Sequence, residues 1–592
     1  MENQVNPIEM ARHSLSHILA KAVCELYDDV KLAIGPAIDN GFYYDFDLPR
    51  SITTEDFDAI TAKMQEILKR GEDFVCREVS ADEAKAIFAD QPYKLELIEG
   101  LGDERITLYY TGEDFVDLCR GPHVQNAREL RSWAFKISSA TGAYWRGDST
   151  RPMLQRVYVY AFPNKQELKE YVAAVEDAKK RDHNKLGREL EYFTTVESIG
   201  QGLPILLPKG AKVIQTLQRF VEDEEARRGY TLTMTPLMAK RELYKISGHW
   251  DHYLDGMFIL GDPHDETKEC FALRPMTCPF QYQVYLNRPR SYRELPMRFG
   301  ETSTLFRNED SGEMHGLIRV RQFTISEGHL VLRPDQLEEE FRGCVDLAMY
   351  MLDAVGLRED CTFRFSQWDP ARTDKYEGTP EQWAEAQRIM GEILDHIGIN
   401  YEIGIDEAAF YGPKLDIQCK NVFGKEDTII TIQIDMLLAE KFGMEYTDRE
   451  GKKVRPYIIH RTSLGCYQRT LALLIEKYAG ALPFWISATQ VGVVPVRPEH
   501  NEYAAKVTAA LQAAGIRTEV DYEDEMMGTK VKKYRQDKVP YTVIVGDKEM
   551  AEGTVSLKIR GGAGANDVPL DIFVETCREL VNTNALTLKT EF

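Results

Sequence analysis

Two pairs of charged residues in the middle of this sequence have spacings that could hold a polyphosphate. Arg307 and Glu309 lie two residues apart, so on a strand both side chains would point to the same face. A loop with two glycines follows, and Arg319 and Arg321 then lead into a second strand-like run. Because guanidinium groups bind phosphate oxygens in a bidentate manner, two antiparallel strands with inward arginines predict a triphosphate clamp. The alternative is that these are ordinary surface arginines.

A further arginine lies at the start of a predicted helix. Gly465 is followed four residues later by Arg469, and the apolar run LALLIEKY comes directly after it. The amino end of a helix attracts anions, because its first backbone N–H groups have no partner within the helix. The spacing therefore predicts that Arg469 points from the first helical turn toward a bound anion.

Together these segments resemble the signatures of the class II aminoacyl-tRNA synthetases. The F-R-x-E signature stands at Phe306–Glu309, the third signature at Gly465–Arg469, and the proline of the first signature at Pro236. The resemblance implies an antiparallel catalytic sheet, ATP bound with Mg²⁺ as a substrate, and a homodimer formed through the first signature. It implies these contacts: Arg307 with the α-phosphate and the amino-acid carboxylate, Glu309 with the adenine amine, Arg469 with the γ-phosphate, and Arg319 and Phe323 elsewhere in the ATP site.

Three residues in the same region could hold a metal ion. Cys278, His329 and His460 are far apart in sequence, and each is predicted to lie on or beside a strand. One cysteine and two histidines are a suitable ligand set for a catalytic zinc site that keeps its fourth position open. Taken singly, each of the three is more often a structural residue.

The segments around these residues resemble the threonyl-tRNA synthetases, in which this trio holds zinc. The similar segments are GHWDHY at 248–253, AFYGPK at 409–414 and IQID at 432–435. A site that must bind a hydroxyl rejects valine, which lacks it, by roughly 10⁴–10⁵. The resemblance further implies that L-threonine and tRNA(Thr) are the partners. It assigns the amino group of threonine to Tyr411 and Glu327, the substrate pocket to Gln433, Met276 and Gln281, proton handling at the terminal ribose to His249, and a catalytic contact to Lys414.

Serine poses a separate problem, because it keeps the hydroxyl and lacks only one methyl group. That difference is worth about 1–3 kcal/mol, so a second, hydrolytic site is expected. His13 and His17 are spaced to share one face of the first helix, and Cys119 and His123 lie in the segment DLCRGPH. This combination resembles the editing domain of bacterial threonyl-tRNA synthetases, and Lys94 and Asp117 match further positions of that site. Whether this cluster also binds a metal stays open.

Several positions depart from the family pattern. Ile325 and Thr428 stand where glutamine is common, Ile430 replaces a glycine, and Gln281 replaces a histidine. These changes affect the details of the adenine and threonine pockets. In the C-terminal region, Glu549 keeps its residue, while Asp524 and Lys558 stand where the family often uses Asn and Arg to read the anticodon. The position of His13 near the start predicts a member without the small N-terminal TGS domain.

The elements that position these residues fall into four regions, predicted as an α+β multidomain protein. Residues 1–163 are expected to form the α+β editing domain, with a first helix over Ala11–Leu26. Residues 164–192 are a linker, with a polar helix over Asn164–Gly187 that carries a narrow apolar stripe. Residues 193–487 form the catalytic domain. From residue 488 to residue 592 strands alternate with helices, which predicts a small α/β domain, and the resemblance implies that this domain binds the anticodon.

The composition excludes some classes of protein. No segment approaches the ~20 consecutive apolar residues of a membrane span, and the first residues, MENQVNPIEMARHS, lack the pattern of a secretory signal. The ten cysteines form no C-x-x-C pair, so reduced thiols in the cytoplasm are expected. The net charge of −22 argues mildly against nucleic acid as a partner, although Gly528–Lys538 is a basic segment.

Two other functions remain open at this point. The first is a catalytically silent relative that binds RNA or regulates; the complete set of arginines and metal candidates argues against it. The second is a synthetase for another small amino acid, such as serine or proline. Pyrophosphate exchange measured with several amino acids distinguishes these possibilities.

Overall fold

The structure is a computed structural model that describes residues 6–101, 105–372 and 375–592. The prediction that the first residues do not form a secretory signal rests partly on residues 1–5, which lie outside the described ranges. Contacts divide the chain into two compact units, Met1–Asp177 and Ala178–Phe592. This division falls inside the predicted linker, and the expected boundaries after residues 163, 192 and 487 stay predictions. Among the described residues, no helix is long and apolar enough to cross a membrane.

The helices of the first unit pack on two antiparallel sheets. Its helices α1 to α5 are Pro7–Leu26, Phe57–Arg70, Ala81–Ile87, Pro92–Gly100 and Lys165–Arg181, the last of which runs four residues into the second unit. Its strands β1 to β8 are Lys31–Leu32, Ala37–Ile38, Gly41–Asp47, Phe74–Val79, Ile106–Thr111, Phe115–Leu118, Ala134–Tyr144 and Met153–Phe162. One sheet has the order β1-β3-β8-β7 with β2 on β3, and a second has the order β4-β5-β6.

The predicted first helix is confirmed, and its start has a clear cause. The Asn6 side chain accepts a hydrogen bond from Ile8 N at 3.0 Å, and Pro7 occupies the first helical position, where no N–H is needed. The helix ends at Leu26 as predicted. Its apolar face is buried in the core of the unit, where Leu15 and Ile18 are fully inaccessible.

The predicted linker helix is broken in the structure. Helix α5 carries Tyr171 against Tyr160 and Phe162 of β8, with ring centroids 5.0 and 4.9 Å apart. The chain then turns at Asp182, whose carboxylate caps the next helix by accepting from Asn184 N at 2.6 Å. One continuous helix over Asn164–Gly187 was wrong, because Asp182 offers the backbone a cap in the middle of it.

The second unit is built on a large sheet with the order β11-β16-β17-β24-β21-β20-β18-β19. Its helices α6 to α14 are His183–Glu189, Pro208–Arg227, Arg241–Ile246, His249–His252, Cys278–Leu286, Leu337–Val355, Pro380–Ile397, Leu438–Lys441 and Tyr467–Lys477. Its strands β9 to β24 are Phe193–Thr194, Ile205–Leu206, Thr231–Leu232, Met238–Lys240, Ile259–Leu260, Phe271–Leu273, Arg290–Ser291, Met297–Phe306, Gln322–Leu332, Cys361–Gln367, Glu402–Ile405, Lys414–Lys420, Glu426–Asp435, Tyr446–Thr447, Lys453–Val454 and Tyr457–Cys466.

The predicted antiparallel catalytic sheet is confirmed. Neighbouring strands from β16 to β18 in the sheet order are antiparallel, and only the two edge pairs are parallel. Strand β21 alternates buried isoleucines, Ile430, Ile432 and Ile434, with polar residues, of which Gln433 and Asp435 are buried as well. Helices α7, α11 and α14 supply much of the core on which this sheet packs.

The C-terminal part of the second unit has a sheet and a core of its own. Its helices α15 to α18 are Asn501–Ala513, Met527–Gln536, Asp547–Glu552 and Leu570–Asn582, and its strands β25 to β29 are Val491–Pro495, Thr518–Val520, Tyr541–Val545, Thr554–Ile559 and Gly564–Pro569. The sheet order is β26-β25-β27-β28-β29, with parallel pairs on the first three strands. The predicted α/β pattern is confirmed, except that residues 564–566, expected in a turn, begin β29.

Candidate active sites

A cavity of about 620 Å³ opens on the catalytic sheet and gathers most of the predicted catalytic residues. Strands β16, β17, β20, β21 and β24 and the first turn of α14 contribute its walls. The predicted residues that line it are Met276, Arg307, Glu309, Arg319, Phe323, Glu327, Tyr411, Lys414, Gln433, His460 and Arg469. The departures Ile325 and Thr428 also line it. His249, Gln281, Cys278 and His329 are buried beside it without lining it.

The arginine clamp lies in a loop, so the prediction that it stands on two strands was wrong. The ladder of β16 and β17 ends with the pair Phe306 and Gln322. One further backbone bond follows, from Arg307 N to Arg321 O at 2.9 Å, and the chain then turns back on itself, with Glu309 N donating to Arg307 O at 2.9 Å. Alternation along a strand no longer applies past this turn, and we call residues 307–321 the ATP loop.

The guanidinium groups of the cavity differ in how far they are already bound. Arg307 packs 5.2 Å from the centroid of the Phe323 ring, and its Nε is buried without a hydrogen-bond partner in the described structure. Arg319 instead forms ion pairs of 2.8 Å with Glu309 and with Glu313. Arg307 therefore keeps a buried, open donor for an anion.

Arg469 is fixed by the backbone around it. It is the third residue of α14, as the spacing predicted. Its Nε donates to Ile318 O of the ATP loop at 2.9 Å, and its Nη1 donates to Thr428 O of β21. These contacts leave the other terminal nitrogen for an anion in the cavity, because a guanidinium group carries five N–H donors.

The three predicted metal ligands meet at one buried point. One ligand atom from each of Cys278, His329 and His460 lies within 4.8 Å of the others. His329 of β17 and His460 of β24 are paired in register, with ring centroids 4.7 Å apart. Cys278 begins helix α10, and its thiol lies beside strand β17, which carries His329, so the expected place beside a strand is confirmed. All three side chains are buried.

Each histidine of this trio uses one ring nitrogen for a neighbouring polar group. His329 Nδ1 lies 2.6 Å from Gln281 Oε1, while its buried Nε2 has no hydrogen-bond partner among the described residues and lies 3.8 Å from Glu327 Oε1. His460 Nε2 lies 2.9 Å from Asp435 Oδ2 and 3.2 Å from Tyr282 OH. A lone pair therefore remains on the other nitrogen of each ring, which is the arrangement of metal-binding histidines. Asp435 and Tyr282 were missed; Asp435 lies in the quoted segment IQID.

The electrostatics of the trio suit a cation. Burial raises the pKa of the Cys278 thiol well above its usual range, and it lowers the pKa of His329 well below its usual range. The imidazole is thus neutral, as a ligand must be, and a thiolate at Cys278 requires a positive charge beside it. The orphaned Nε2 of His329 and this donor set fit a metal ion.

Glu327 presents a carboxylate with one free oxygen. Burial raises its pKa, and its Oε2 has no hydrogen-bond partner within the described chain. The tyrosine ring of Tyr411 lines the same cavity, and Gln433 Nε2 donates to Gly412 O at 3.2 Å. An ammonium group would satisfy the open carboxylate oxygen.

His249 and Lys414 occupy different positions around the cavity. His249 is buried, its Nδ1 lies 2.9 Å from Ser247 Oγ, and burial lowers its pKa to about 3. Lys414 lines the cavity and donates to Asp416 at 2.6 Å. Asp416, which the sequence reasoning missed, also accepts from Ser366 at 2.8 Å and from Thr431 at 2.7 Å.

The first unit holds the second predicted cluster. One ligand atom from each of His13, His17, Cys119 and His123 lies within 4.8 Å of the others. Ser14 donates to Met10 O at 2.9 Å, so its oxygen accepts from His123 Nδ1 at 3.1 Å. His123 Nε2 then faces Cys119 Sγ at 3.0 Å. Burial lowers the pKa of all three histidines and raises the pKa of Cys119 to about 12.

Lys94 and Asp117 lie beside this cluster, as the resemblance implied, and both are almost fully buried. They form an ion pair, and Asp117 Oδ2 also accepts from Tyr44 OH at 2.6 Å and lies 3.6 Å from His17 Nε2. Tyr44 gave no signal in the sequence, because an inward tyrosine on a strand is an ordinary core residue. The predicted residues of both sites are thus brought together.

Comparisons with known proteins agree with this geometry. The family model described as the tRNA synthetase class II core domain (G, H, P, S and T) matches residues 258–478, the Anticodon binding domain matches residues 490–580, and the Threonyl and Alanyl tRNA synthetase second additional domain matches residues 106–158. The chain is 55% identical over 567 residues to a threonine–tRNA ligase of Clostridium botulinum, covering 96% of this chain and 88% of the relative. It is 56% identical over 562 residues to the ligase of Clostridium perfringens, covering 95% and 87%. The crystal structure of the RNA binding domain of threonyl-tRNA synthetase from Cryptosporidium parvum matches with a TM-score of 0.63 at 29% identity, covering 69% of this chain and all of that one.

Proposed function

The chain belongs to the threonine–tRNA ligases, and we propose that its two buried clusters divide the selection of the amino acid between them. It is a class II aminoacyl-tRNA synthetase that joins L-threonine to tRNA(Thr) with ATP and carries the domain that hydrolyses Ser-tRNA(Thr). The proposal concerns the residues that perform each step. The observation that carries it is the orphaned Nε2 of His329, buried within reach of Cys278 and His460 at the edge of the cavity.

Cys278, His329 and His460, the last of which lines the cavity, would hold Zn²⁺, a metal that one cysteine and two histidines fit. When bound, it supplies a Lewis-acidic position for the hydroxyl of threonine, which valine cannot occupy. The chain's own residues orient the rest of the substrate. Glu327 receives the ammonium group through its free carboxylate oxygen, beside Tyr411.

The ATP loop and helix α14 hold the nucleotide. Arg307 has the open donor, and we assign to it the α-phosphate and the carboxylate that attacks it. Arg469 supports the γ-phosphate from the opposite wall, held in place by Ile318 O and Thr428 O. Neutralising the charge that grows on the phosphate is most of the catalysis such a reaction needs. Glu309, Arg319 and Phe323 line the remainder of this end of the cavity.

For the hydrolysis of serine from tRNA we propose the cluster of His13, His17, Cys119 and His123 in the first unit. All three histidines are neutral, and His13 and His17 can accept hydrogen bonds from a water molecule that attacks the ester, while His123 is held by Ser14 and Cys119. His17 Nδ1 is buried without a partner in the described ranges and is a further acceptor. Lys94 and Asp117 hold this side of the cluster through their ion pair.

We also propose that the chain forms a homodimer and that the first signature lies in the interface between the two subunits. Residues 231–238 carry a row of exposed apolar side chains, which includes Met234 at 89% and Leu232 at 55% exposure, and this segment includes the edge strand β11 of the catalytic sheet. Patches of this kind mark protein interfaces. Sedimentation should show a dimer that Met234→Asp dissociates, whereas Met526→Asp, at a methionine of the C-terminal domain that is 81% exposed, should not. A monomeric parent protein would refute this.

The remaining assignments concern tRNA and location. Lys532, Lys533 and Arg535 are exposed on helix α16, which gives the C-terminal domain a basic face for the anticodon arm despite the net charge of −22. Glu549 is already engaged by Gly546 N and Ser556 Oγ at 2.9 and 2.7 Å. We place the enzyme in the cytoplasm, because all ten cysteines are free.

The amino-acid assignment is tested by pyrophosphate exchange with threonine, serine and valine, with and without a zinc chelator. We expect exchange with threonine, weaker exchange with serine, almost none with valine, and loss of threonine exchange in Cys278→Ala. Zinc content should fall from one bound ion to none in that variant's catalytic site. Full exchange by zinc-free protein would overturn the proposal, and absence of exchange in the parent would favour the silent relative.

The editing assignment is tested separately. His13→Ala should retain threonine exchange, because His13 belongs to the other unit, and it should accumulate Ser-tRNA(Thr). The measurement is the amount of tRNA charged with radioactive serine. If this variant charged no more serine than the parent, the cluster would not be the hydrolytic site.

A further inference from the structure

A third group of metal-like side chains lies outside both sites, at Asp182, His183 and Glu476. It is a hydrogen-bonded chain rather than a metal site. His183 Nδ1 lies 2.6 Å from Glu476 Oε1, and His183 Nε2 accepts a hydrogen bond from Leu317 N at 3.2 Å. Both ring nitrogens are therefore used, and no lone pair is left for an ion. His183 is completely inaccessible, and Glu476 nearly so.

This chain of hydrogen bonds ends in the ATP loop. Leu317 lies between His315 and Arg319, the loop residue that pairs with Glu309. A backbone N–H buried without an acceptor costs roughly the desolvation of the group, so His183 contributes to holding the loop at this point. The loop fits closely around the imidazole: Gly316 has a φ of +51°, and a Cβ there would come within 2.1 Å of His183 Nε2.

Helix α14 also holds the ATP loop, at Leu317 and at the next residue, Ile318. Glu476 lies seven residues, or about two helical turns, after Arg469, so both side chains project from one face of α14. Arg469 donates directly to Ile318 O at 2.9 Å, while Glu476 acts through His183 on Leu317 N. Glu476 Oε2 also accepts from Val422 N at 3.3 Å. The helix that carries the phosphate-binding arginine thus holds the loop at adjacent residues.

We propose that His183 is a positioning residue for ATP, which sets the ATP loop against Arg469 from the start of helix α6. This inference rests on the proposed ATP site. His183 touches neither ATP nor threonine; it fixes the backbone of Leu317 and Ile318, on which the direction of Arg469 depends. Its loss should weaken ATP binding while leaving the threonine pocket on β17 and β24 unchanged.

Two amide variants separate the two bonds of the imidazole. In His183→Gln the amide oxygen reaches the place of Nε2 and can accept from Leu317 N; in His183→Asn the amide nitrogen takes the place of Nδ1 and serves Glu476 only. We expect the KM for ATP in pyrophosphate exchange to rise about tenfold in His183→Asn, as the loss of a buried hydrogen bond implies. His183→Gln should stay within about threefold of the parent, and the KM for threonine should change in neither.

His500 provides a matched control in the C-terminal domain. It is also buried, with Nδ1 accepting from Arg497 N at 3.1 Å and Nε2 lying 3.0 Å from Asp547 Oδ1. His500→Gln removes the same kind of contact, because its amide replaces Nε2 and leaves Arg497 N without its acceptor, and it should leave the KM for ATP unchanged. If His183→Asn does not fold, Gly316→Ala tests the same contact, because its Cβ would displace the loop from His183. Gly398→Ala, with a φ of +78° and open space around it in the described structure, controls for backbone strain.

The outcomes are distinct. An unchanged KM for ATP in both His183 variants, an equal rise in both, or an equal rise in the KM for threonine would overturn the positioning role. The role would be established if the KM for ATP, and not the KM for threonine, rose in His183→Asn and in Gly316→Ala but not in His183→Gln. Absence of exchange in the parent would overturn the proposed function and this inference with it.

Discussion

His329 and Gln281 show how a single side chain orients a candidate metal ligand. Gln281 Oε1 accepts from His329 Nδ1, which leaves the lone pair on Nε2. Gln281 Nε2 in turn donates to Thr233 Oγ1 at 2.7 Å, and Thr233 donates to Glu301 at 2.9 Å. Gln281 departs from the family pattern. We therefore predict that it orients His329 through this hydrogen bond and does not contact the substrate directly.

Gln281→Met removes this hydrogen bond and keeps the volume of the side chain. We expect the affinity for Zn²⁺ to fall about 10–100-fold, because partners behind a metal ligand have effects of this size. Competition with a chromophoric chelator measures it. Gln490→Met is the control: Gln490 is equally buried and bonds Phe484 O and Arg517 N in the C-terminal domain. Equal zinc affinity in both variants would contradict the orienting role.

His249 predicts a pH dependence of stability. Burial lowers its pKa to about 3, whereas the unfolded chain binds a proton near pH 6.5. Its contribution is therefore complete above pH 6.5 and is lost as the pH falls toward 3, at up to about 1.4 kcal/mol per pH unit. Between pH 6 and pH 4, the slope of the free energy of unfolding against pH should be smaller in His249→Gln than in the parent, by the equivalent of one bound proton. Parallel denaturation profiles for parent and variant would contradict this.

At the scale of elements, the end of β24, directly before α14, contains a glycine that packs closely against β21. Gly465 has a φ of +74°, and a Cβ there would lie 1.8 Å from Ile429 O of β21. Beside Gly465, the register between β24 and the neighbouring strand β17 shifts, between Ser326 and Glu327 of β17. The glycine of the third signature is thus required both for its conformation and for the approach of two strands, four residues before Arg469.

Gly465→Ala should separate these strands and misdirect Arg469. Overpacking costs typically about 1–3 kcal/mol, so we expect pyrophosphate exchange to fall at least about tenfold. Gly443→Ala is the control, because Gly443 has a φ of +61° with open space around it in the described part of the chain. That variant should lose about 1 kcal/mol of stability and keep its activity. Equal activity of the two variants would show that the close approach is unimportant.

At the scale of the whole molecule, the two units have separate cores and separate chemistry. The core of the first unit is formed by residues between Ala11 and Ala161, and the candidate hydrolytic cluster lies entirely within that unit. The zinc candidates, the cavity and the ATP loop lie entirely within the second. Each unit therefore contains all of the residues assigned to its step.

A fragment of residues 178–592 should exchange pyrophosphate with threonine at a rate close to that of the full chain, and it should release Ser-tRNA(Thr) that it cannot hydrolyse. Adding a fragment of residues 1–177 in trans should restore part of the hydrolysis. The measurements are exchange and the accumulation of serine on tRNA. A folded fragment 178–592 without exchange would show that activation needs the first unit.

The sequence alone predicted the composition of both sites and most of the regular elements. Residue types carry that information directly: a cysteine with two histidines fits a metal, a histidine pair four apart shares a helix face, and alternating apolar runs form strands. The first helix and the pattern of the C-terminal domain follow from such local rules and agree with the structure. The resemblance to the family supplied the roles of individual residues.

Only the tertiary structure decided how distant segments meet. Arg307 and Glu309 leave the strand because the ladder of β16 and β17 ends at Phe306, a limit set by pairing and not by local sequence. The same holds for Asp435 behind His460 and for Tyr44 beside Asp117, whose partners lie 25 and 73 residues away. His183 is the clearest case. It gains its acceptor and its donor from segments 293 and 134 residues away, and no periodicity within one segment can encode contacts at that separation.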